Sequence, residues 1–216
     1  SPTGRQQLMI VSESQAIAAS RQAYVQEMGK YRKEGKLVTD PKVLNRVKVI
    51  TERLVAQAVK VRPDSGKWEW TVAVIDDPQN VNAWCMAGGR MAIYTGLILK
   101  IDPTDDELAQ VMGNEIAHAL ANHTAERMSV AMASQMGVLA AGILLDQSAT
   151  TIAAGAAAAQ VAVNLPNSRT AETEADRIGI ELAARAGYDP HAAVTLWQKM
   201  AAVGGGKGPP QFLSTH

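Results

Sequence analysis

A chain of 216 residues with 47% hydrophobic side chains is long enough to bury a core of its own and too apolar to be disordered. Its 21 Lys and Arg balance 21 Asp and Glu, which excludes a nucleic-acid binder working through bulk phosphate neutralisation and also an acidic solvating tail. Aromatic residues make up only 4%, so helices packed through small side chains are expected in place of an aromatic-rich sandwich. The lone Cys85 cannot form an intramolecular disulfide and reads as a small buried hydrophobe.

Ile17, Tyr24, Met28 and Tyr31 recur at helical spacing, predicting an amphipathic helix from Ser14 to about Leu37 with Gly35 near its end. Residues 1–37 read as a helical arm and 38–216 as the domain proper. Asp40-Pro41 supplies an N-cap and a first-turn proline for a second helix, striped by Leu44, Val47, Ile50, Leu54 and Ala58 and stopping before Pro63. Residues 21–62 carry 11 basic and 4 acidic side chains, read as a solvated helical face. After the turn at Pro63–Gly66 the period changes to two, with Trp68, Trp70, Val72 and Val74 on one face of a strand ending at Asp76. Two further strands, Val81 to Met86 and Arg90 to Tyr94, flank Gly88-Gly89. The expectation is a mainly α, α+β fold, with a small antiparallel sheet of about three strands packed on helices.

Beyond Pro103 the chain reads as helix. Thr104-Asp105-Asp106-Glu107 is a capping box, and residues 129–163 predict two closely packed helices meeting around Asp146 to Thr151. Ser168 caps the next helix, which Arg185-Ala186-Gly187 closes, and Asp189-Pro190 opens the last, which ends at Gly204-Gly205-Gly206. The longest apolar run, Met136 to Leu145, has ten residues, short of a bilayer span, so no transmembrane helix is expected.

The informative segment is Asn114-Glu115-Ile116-Ala117-His118. With histidine at 114 it would read His-Glu-x-x-His, in which residues at i and i+4 aim two imidazoles at one zinc and the glutamate activates water. Glu172 lies 54 residues beyond His118 on another predicted helix and is the candidate third ligand. Asp176, one turn later, is placed to accept a hydrogen bond from a ligand imidazole. Taken singly, each is also an ordinary polar residue on a helix.

Together these segments, with Gly88-Gly89, Met91–Leu97, His123, Glu172–Asp176, Ala186–Pro190 and Phe212–His216, resemble the gluzincin zinc metallopeptidases of the HtpX and CAAX-prenyl-protease type. The soluble periplasmic branch that includes the β-barrel assembly-enhancing protease is the most similar. The resemblance covers about Val38 to the C-terminus, and the Phe212–His216 segment is expected to continue further.

The resemblance implies one zinc ion held by His118, Glu172 and the residue at 114, with Glu115 as general base and Asp176 and Arg169 standing behind the ligands. Asn114 offers only a neutral amide oxygen, so weak zinc binding and poor cleavage are expected. It reads either as an inactivating substitution in a protease, the preferred reading, or as the mark of a peptide-binding, chaperone-like pseudoprotease. Arg90, Met91, Ala92, Ile93 and Tyr94, if a sheet edge, would bind extended polypeptide by backbone hydrogen bonds, suiting unfolded or misfolded substrates. His216 is a candidate to stabilise the oxyanion or to close the metal position, whereas His123 and His191 read mainly as structural. The resemblance further implies a periplasmic quality-control monomer, with a lipid anchor upstream of Ser1 and no nucleic-acid partner.

Overall fold

The architecture was analysed in a computed structural model that describes residues 1–144 and 168–204. Helix α1 (Glu13–Lys33) starts at a capping box formed by Ser12 and Gln15 and is followed by Gly35 at φ +67°. Helix α2 (Pro41–Val61) has the Asp40 cap, whose carboxylate accepts from the Lys42 amide. A short 3-10 turn (Pro63–Lys67) leads to strands β1 (Thr71–Ile75), β2 (Ala83–Cys85) and β3 (Arg90–Tyr94). Then come α3 (Thr95–Ile101), α4 (Asp105–Leu120), α5 (His123–Leu144), α6 (Arg169–Arg185) and α7 (Ala192–Val203). The second of the two helices expected over 129–163 lies outside the described residues.

The sheet order is β1-β3-β2, and this departs from expectation in two ways. β1 runs parallel to β3, with Val72 opposite Met91, while β2 is antiparallel to it, so the sheet is mixed. β3 is also the central strand, with all five residues buried, so Arg90, Met91, Ala92, Ile93 and Tyr94 do not form an edge that could take a peptide. Their ladder groups are used by the strands on both sides. The edge strand on the hairpin side is β2, joined to β3 through Gly88 and Gly89 at φ +87° and +88°.

Alternation along the strands sorts the sheet into two buried faces. Val74, Ala83, Cys85, Met91 and Ile93 face the main core with α2 and α4. Ile75, Ala92 and Tyr94 face Met28 of α1, and Tyr24 meets Trp84 edge to face at 6.0 Å between ring centroids. Helix α1 therefore covers the second face of the sheet.

Helix α4 runs through the middle of the core, buried from Glu107 to Leu120. Its closest neighbour is α6, and the two helices cross at glycines. A Cβ on Gly179 would lie 2.7 Å from the Asn114 nitrogen, and one on Gly113 would lie 2.8 Å from the Gly179 carbonyl oxygen. Glycine inside a helix costs about 1 kcal/mol relative to alanine, and here the close approach of two backbones requires it. The N-terminal end of α4 is fixed to α7: Glu107 accepts from the Thr104 amide at 2.9 Å and from Lys199 Nζ at 2.7 Å.

Gly179→Ala should therefore destabilise the protein by about 1–3 kcal/mol despite alanine's better helix propensity, read as a fall in Tm. The matched change Gly29→Ala in α1, where a Cβ meets nothing within 4 Å, should be neutral or stabilising. Equal effects would contradict the crossing. Burial tends to raise the Glu107 carboxyl, but bonds from Lys199, Thr195 and Thr104 outweigh it and leave the group below its ordinary 4.5. A depressed carboxylate stabilises above 4.5 and loses that contribution as pH falls through its folded value. Glu107→Gln should cost about 1 kcal/mol near neutral pH, with the gap to the unsubstituted chain closing below pH 4.5. A gap that stays constant into strong acid would contradict this.

Candidate metal centre

Because α4 is a continuous buried helix, Asn114, Glu115 and His118 are held with 7%, 2% and 5% exposure. The glycine crossing brings α6 alongside, so that His118 Nε2 lies 3.5 Å from Glu172 Oε2. Asn114 Nδ2 donates to Asp176 Oδ1 at 2.8 Å. The structure thus joins four helix positions that are far apart in sequence: 114, 118, 172 and 176.

Glu115 and His118 open onto a cleft of about 520 Å3 between α1, β2 and α5. Burial, reinforced by the negative charge of Glu172, pushes the Glu115 carboxyl well up from its ordinary range, against the opposing pull of Arg127 and the Cys85 amide. Arg127, on α5, lines the same cleft, and its burial lowers its own basicity while Glu115 and Glu172 oppose that fall. Asp176 is likewise pushed up by burial, with the bond from Asn114 working against the rise. Asn114 and Asp176 border a separate cavity of about 90 Å3 beneath Trp197 of α7.

His123 follows His118 by only five residues but is not on the same helix. Asn122 takes a left-handed φ of 58°, α4 ends, and His123 begins α5. The turn brings His123 Nδ1 to 2.8 Å from His118 Nδ1, while His123 Nε2 lies 3.1 Å from Glu174 Oε2. Burial and the neighbouring His118 pull His123 down to about 4, so it is neutral at physiological pH. Glu174 is held in turn by the N-terminal segment. Arg5 Nε donates to it at 2.6 Å and the hydroxyls of Ser1 and Thr3 also donate, so that these bonds outweigh burial and bring it down to about 2.

Other expectations land elsewhere. Arg169 is exposed and lines a shallow surface groove with Arg5, Thr173 and Arg177, so it does not stand behind the ligands. Its place at the very start of α6 puts it on the outer rim. His191 is exposed and bonded to Asp189. Cys85 is buried, and burial raises its thiol. His216 lies outside the described residues.

The sequence reading missed Arg127, Glu174 as a partner of His123, and the β2 edge. Antiparallel alternation turns the backbone groups of Ala83 and Cys85 away from β3, and the Cys85 amide meets Glu115. One available signal was the run Met91-Ala92-Ile93, whose lack of alternation marks a strand buried on both faces.

The donor chemistry suits a first-row divalent ion in two of three positions. A histidine nitrogen and a carboxylate are ordinary zinc donors, and they converge here. At the third position Asn114 commits its amide nitrogen to Asp176 and has only a neutral oxygen to offer. Among the described residues, no group of three His, Cys, Asp or Glu side chains is placed to hold a metal ion. His118 and Glu172 are thus two facing donors of the right chemistry, and the Asn114 amide beside them is committed to Asp176.

Comparison with known proteins gives the family. The sequence pattern of Peptidase family M48 matches residues 41–216. The chain is 38% identical over 149 residues to the mitochondrial metalloendopeptidase OMA1 of Arabidopsis thaliana, covering 68% of this chain and 29% of that protein. It is 30% identical over 233 residues to the mitochondrial metalloendopeptidase OMA1 of Bos taurus, covering 99% of this chain and 42% of the relative. The β-barrel assembly-enhancing protease of Yersinia pestis is 31% identical over 203 residues, covering 89% and 39%. The chain thus spans well under half the length of these relatives. With the family pattern covering the α4 and α6 site, the chain belongs to Peptidase family M48.

Proposed function

We propose that this chain is the peptidase domain of a zinc-dependent metalloendopeptidase acting on unfolded or misfolded polypeptide, and that with Asn114 at the third ligand position it is inactive or strongly impaired as written. The observation that carries the reading is the hydrogen bond from Asn114 Nδ2 to Asp176, beside the facing His118 and Glu172. The amide occupies the place where an imidazole N–H would be held by the same carboxylate.

His118 Nε2 and the Glu172 carboxylate would hold the ion, with the side chain at 114 as the missing member. When bound, zinc supplies Lewis-acid polarisation of the scissile carbonyl and makes water a nucleophile near neutrality. Glu115 takes a proton from the attacking water and passes it to the amine nitrogen as the C–N bond breaks. The edge of β2, in place of β3, offers the backbone groups along which an extended peptide could pair beside Glu115. Pairing through the backbone selects extended chains over particular side chains, which is the basis for unfolded substrates.

Location belongs to the same proposal. The reading assigns the domain to the compartment of its β-barrel assembly-enhancing relatives, taken as the periplasm, while the OMA1 relatives are mitochondrial by name. Among the described residues, no helix is long and apolar enough to cross a membrane.

The test is cleavage of unfolded casein by the chain and by Asn114→His, each in zinc with and without a chelator. The reading expects activity in the variant alone, abolished by the chelator. Comparable cleavage by both chains would contradict the assigned defect at 114. No cleavage by either folded chain would overturn the peptidase assignment in favour of a peptide-binding pseudoprotease.

A further inference from the structure

We propose that the cleft onto which Glu115 and His118 open reads charge order, selecting extended polypeptide with an acidic residue at its Arg127 end and a basic residue at its Glu27 end. The inference deepens the function proposed above and rests on that reading for cleavage, whereas recognition of the peptide does not require the reaction.

The two charges stand at opposite ends of one wall. Helix α1 lies along the β2–β3 hairpin: a Cβ on Gly88 would meet Ile17 at 2.9 Å, and Tyr24 packs edge to face on Trp84. Ala16 and Ile17 cluster with Ala125 and Met128, so α5 adjoins the first turns of α1. Farther along, Met28 and Tyr31 pack with Tyr94. The α1 wall of the cleft therefore runs away from α5 in the order Ala19, Ser20, Ala23, Glu27. Arg127 enters from α5 at the near end, and Glu27 stands at the far end toward Tyr94. From Ala19 to Glu27 the helix rises about 12 Å, which an extended chain covers in about four residues. Between the poles α1 presents only small side chains, leaving room for a chain lying against β2.

Each pole is suited to a guest of opposite sign. The Arg127 guanidinium is half-buried, Glu115 and Glu172 act on it through space, and among the described residues no hydrogen bond or ion pair holds it. Its planar fork of N–H donors matches a carboxylate through two parallel bonds. Glu27 accepts a long bond of 3.4 Å from the Tyr31 hydroxyl and has no cationic partner among the described residues. A partly desolvated charge without a counter-ion is costly, and a peptide carrying both opposite charges in the right order relieves both costs. Backbone pairing along β2 accepts many sequences; the two poles add a choice of charge and of chain direction.

The test is fluorescence anisotropy of the unsubstituted chain with labelled, end-blocked peptides of Ser and Val. One has Glu before Lys at that spacing, one has Lys before Glu, and one has neither. The proposal expects one order to bind about 10-fold or more tighter than the other two peptides, as a charge-assisted hydrogen bond gives. The preferred order should exchange in the double variant Arg127→Glu with Glu27→Lys. The milder Arg127→Gln should abolish the preference, and Arg127→Lys should keep most of it. Equal binding of the two orders by the unsubstituted chain, or binding of none of the peptides, would overturn the proposal. So would an order preference that survives in folded Arg127→Gln, or an equal loss there for charged and uncharged peptides, which would make Arg127 a general peptide contact. Casein cleavage by Asn114→His without any order preference overturns this proposal and leaves the peptidase reading standing. An order preference that exchanges in the double variant, with no cleavage by Asn114→His, supports this proposal and overturns the peptidase reading.

Discussion

The contact on which the site depends is the crossing of two helix backbones at Gly113 and Gly179, where neither position has room for a Cβ. Separation of α4 and α6 by even one methyl group would carry Glu172 away from His118 and Asp176 away from Asn114. Because α4 is buried along nearly its whole length, it cannot tilt to compensate without disturbing α2, β2 and α7 together. Well-packed interiors transmit such strain and do not absorb it locally. The geometry of four side chains is thus set by two residues with no side chain.

A second layer of constraint comes from the N-terminal part of the chain. Helix α1 covers one face of the sheet and forms a wall of the cleft, while the segment before it folds back across α5 and α6 to Glu126 and Glu174. Helix α1 lies within the bounds expected of the helical arm. An arm packed on the sheet and hydrogen-bonded to the site's own supports acts as part of the scaffold. The family pattern begins only at residue 41, so this layer is built from residues ahead of it.

What could be read from sequence was local. Asp40, Thr104 and Ser168 cap their helices as their spacing predicts, because a cap is an interaction across three residues. Arg90–Tyr94 has the expected bounds, and Glu172 and Asp176 come to the α4 site as the motif spacing implies. The parallel pairing of β1 with β3 was not legible, since alternation fixes which side chains share a face and carries no information on strand direction. The same gap moved the candidate peptide edge from β3 to β2. The break at Asn122 was hidden because Ala121 and His123 continue a helical composition on either side. Arg169 failed as a supporting residue because one helical turn at the start of α6 separates a buried face from the rim. Gly113 and Gly179 did carry a signal, since an interior helical glycine calls for a packing reason.

The central claim is that the site is assembled and lacks only its ligand at 114. The most direct measurement is a crystal structure of Asn114→His grown with zinc. The account predicts one ion held by the introduced imidazole, His118 and Glu172, with Asp176 behind that imidazole and the Gly113–Gly179 contact unmoved. Zinc bound by other residues, or α4 and α6 displaced from their crossing to admit it, would contradict the account.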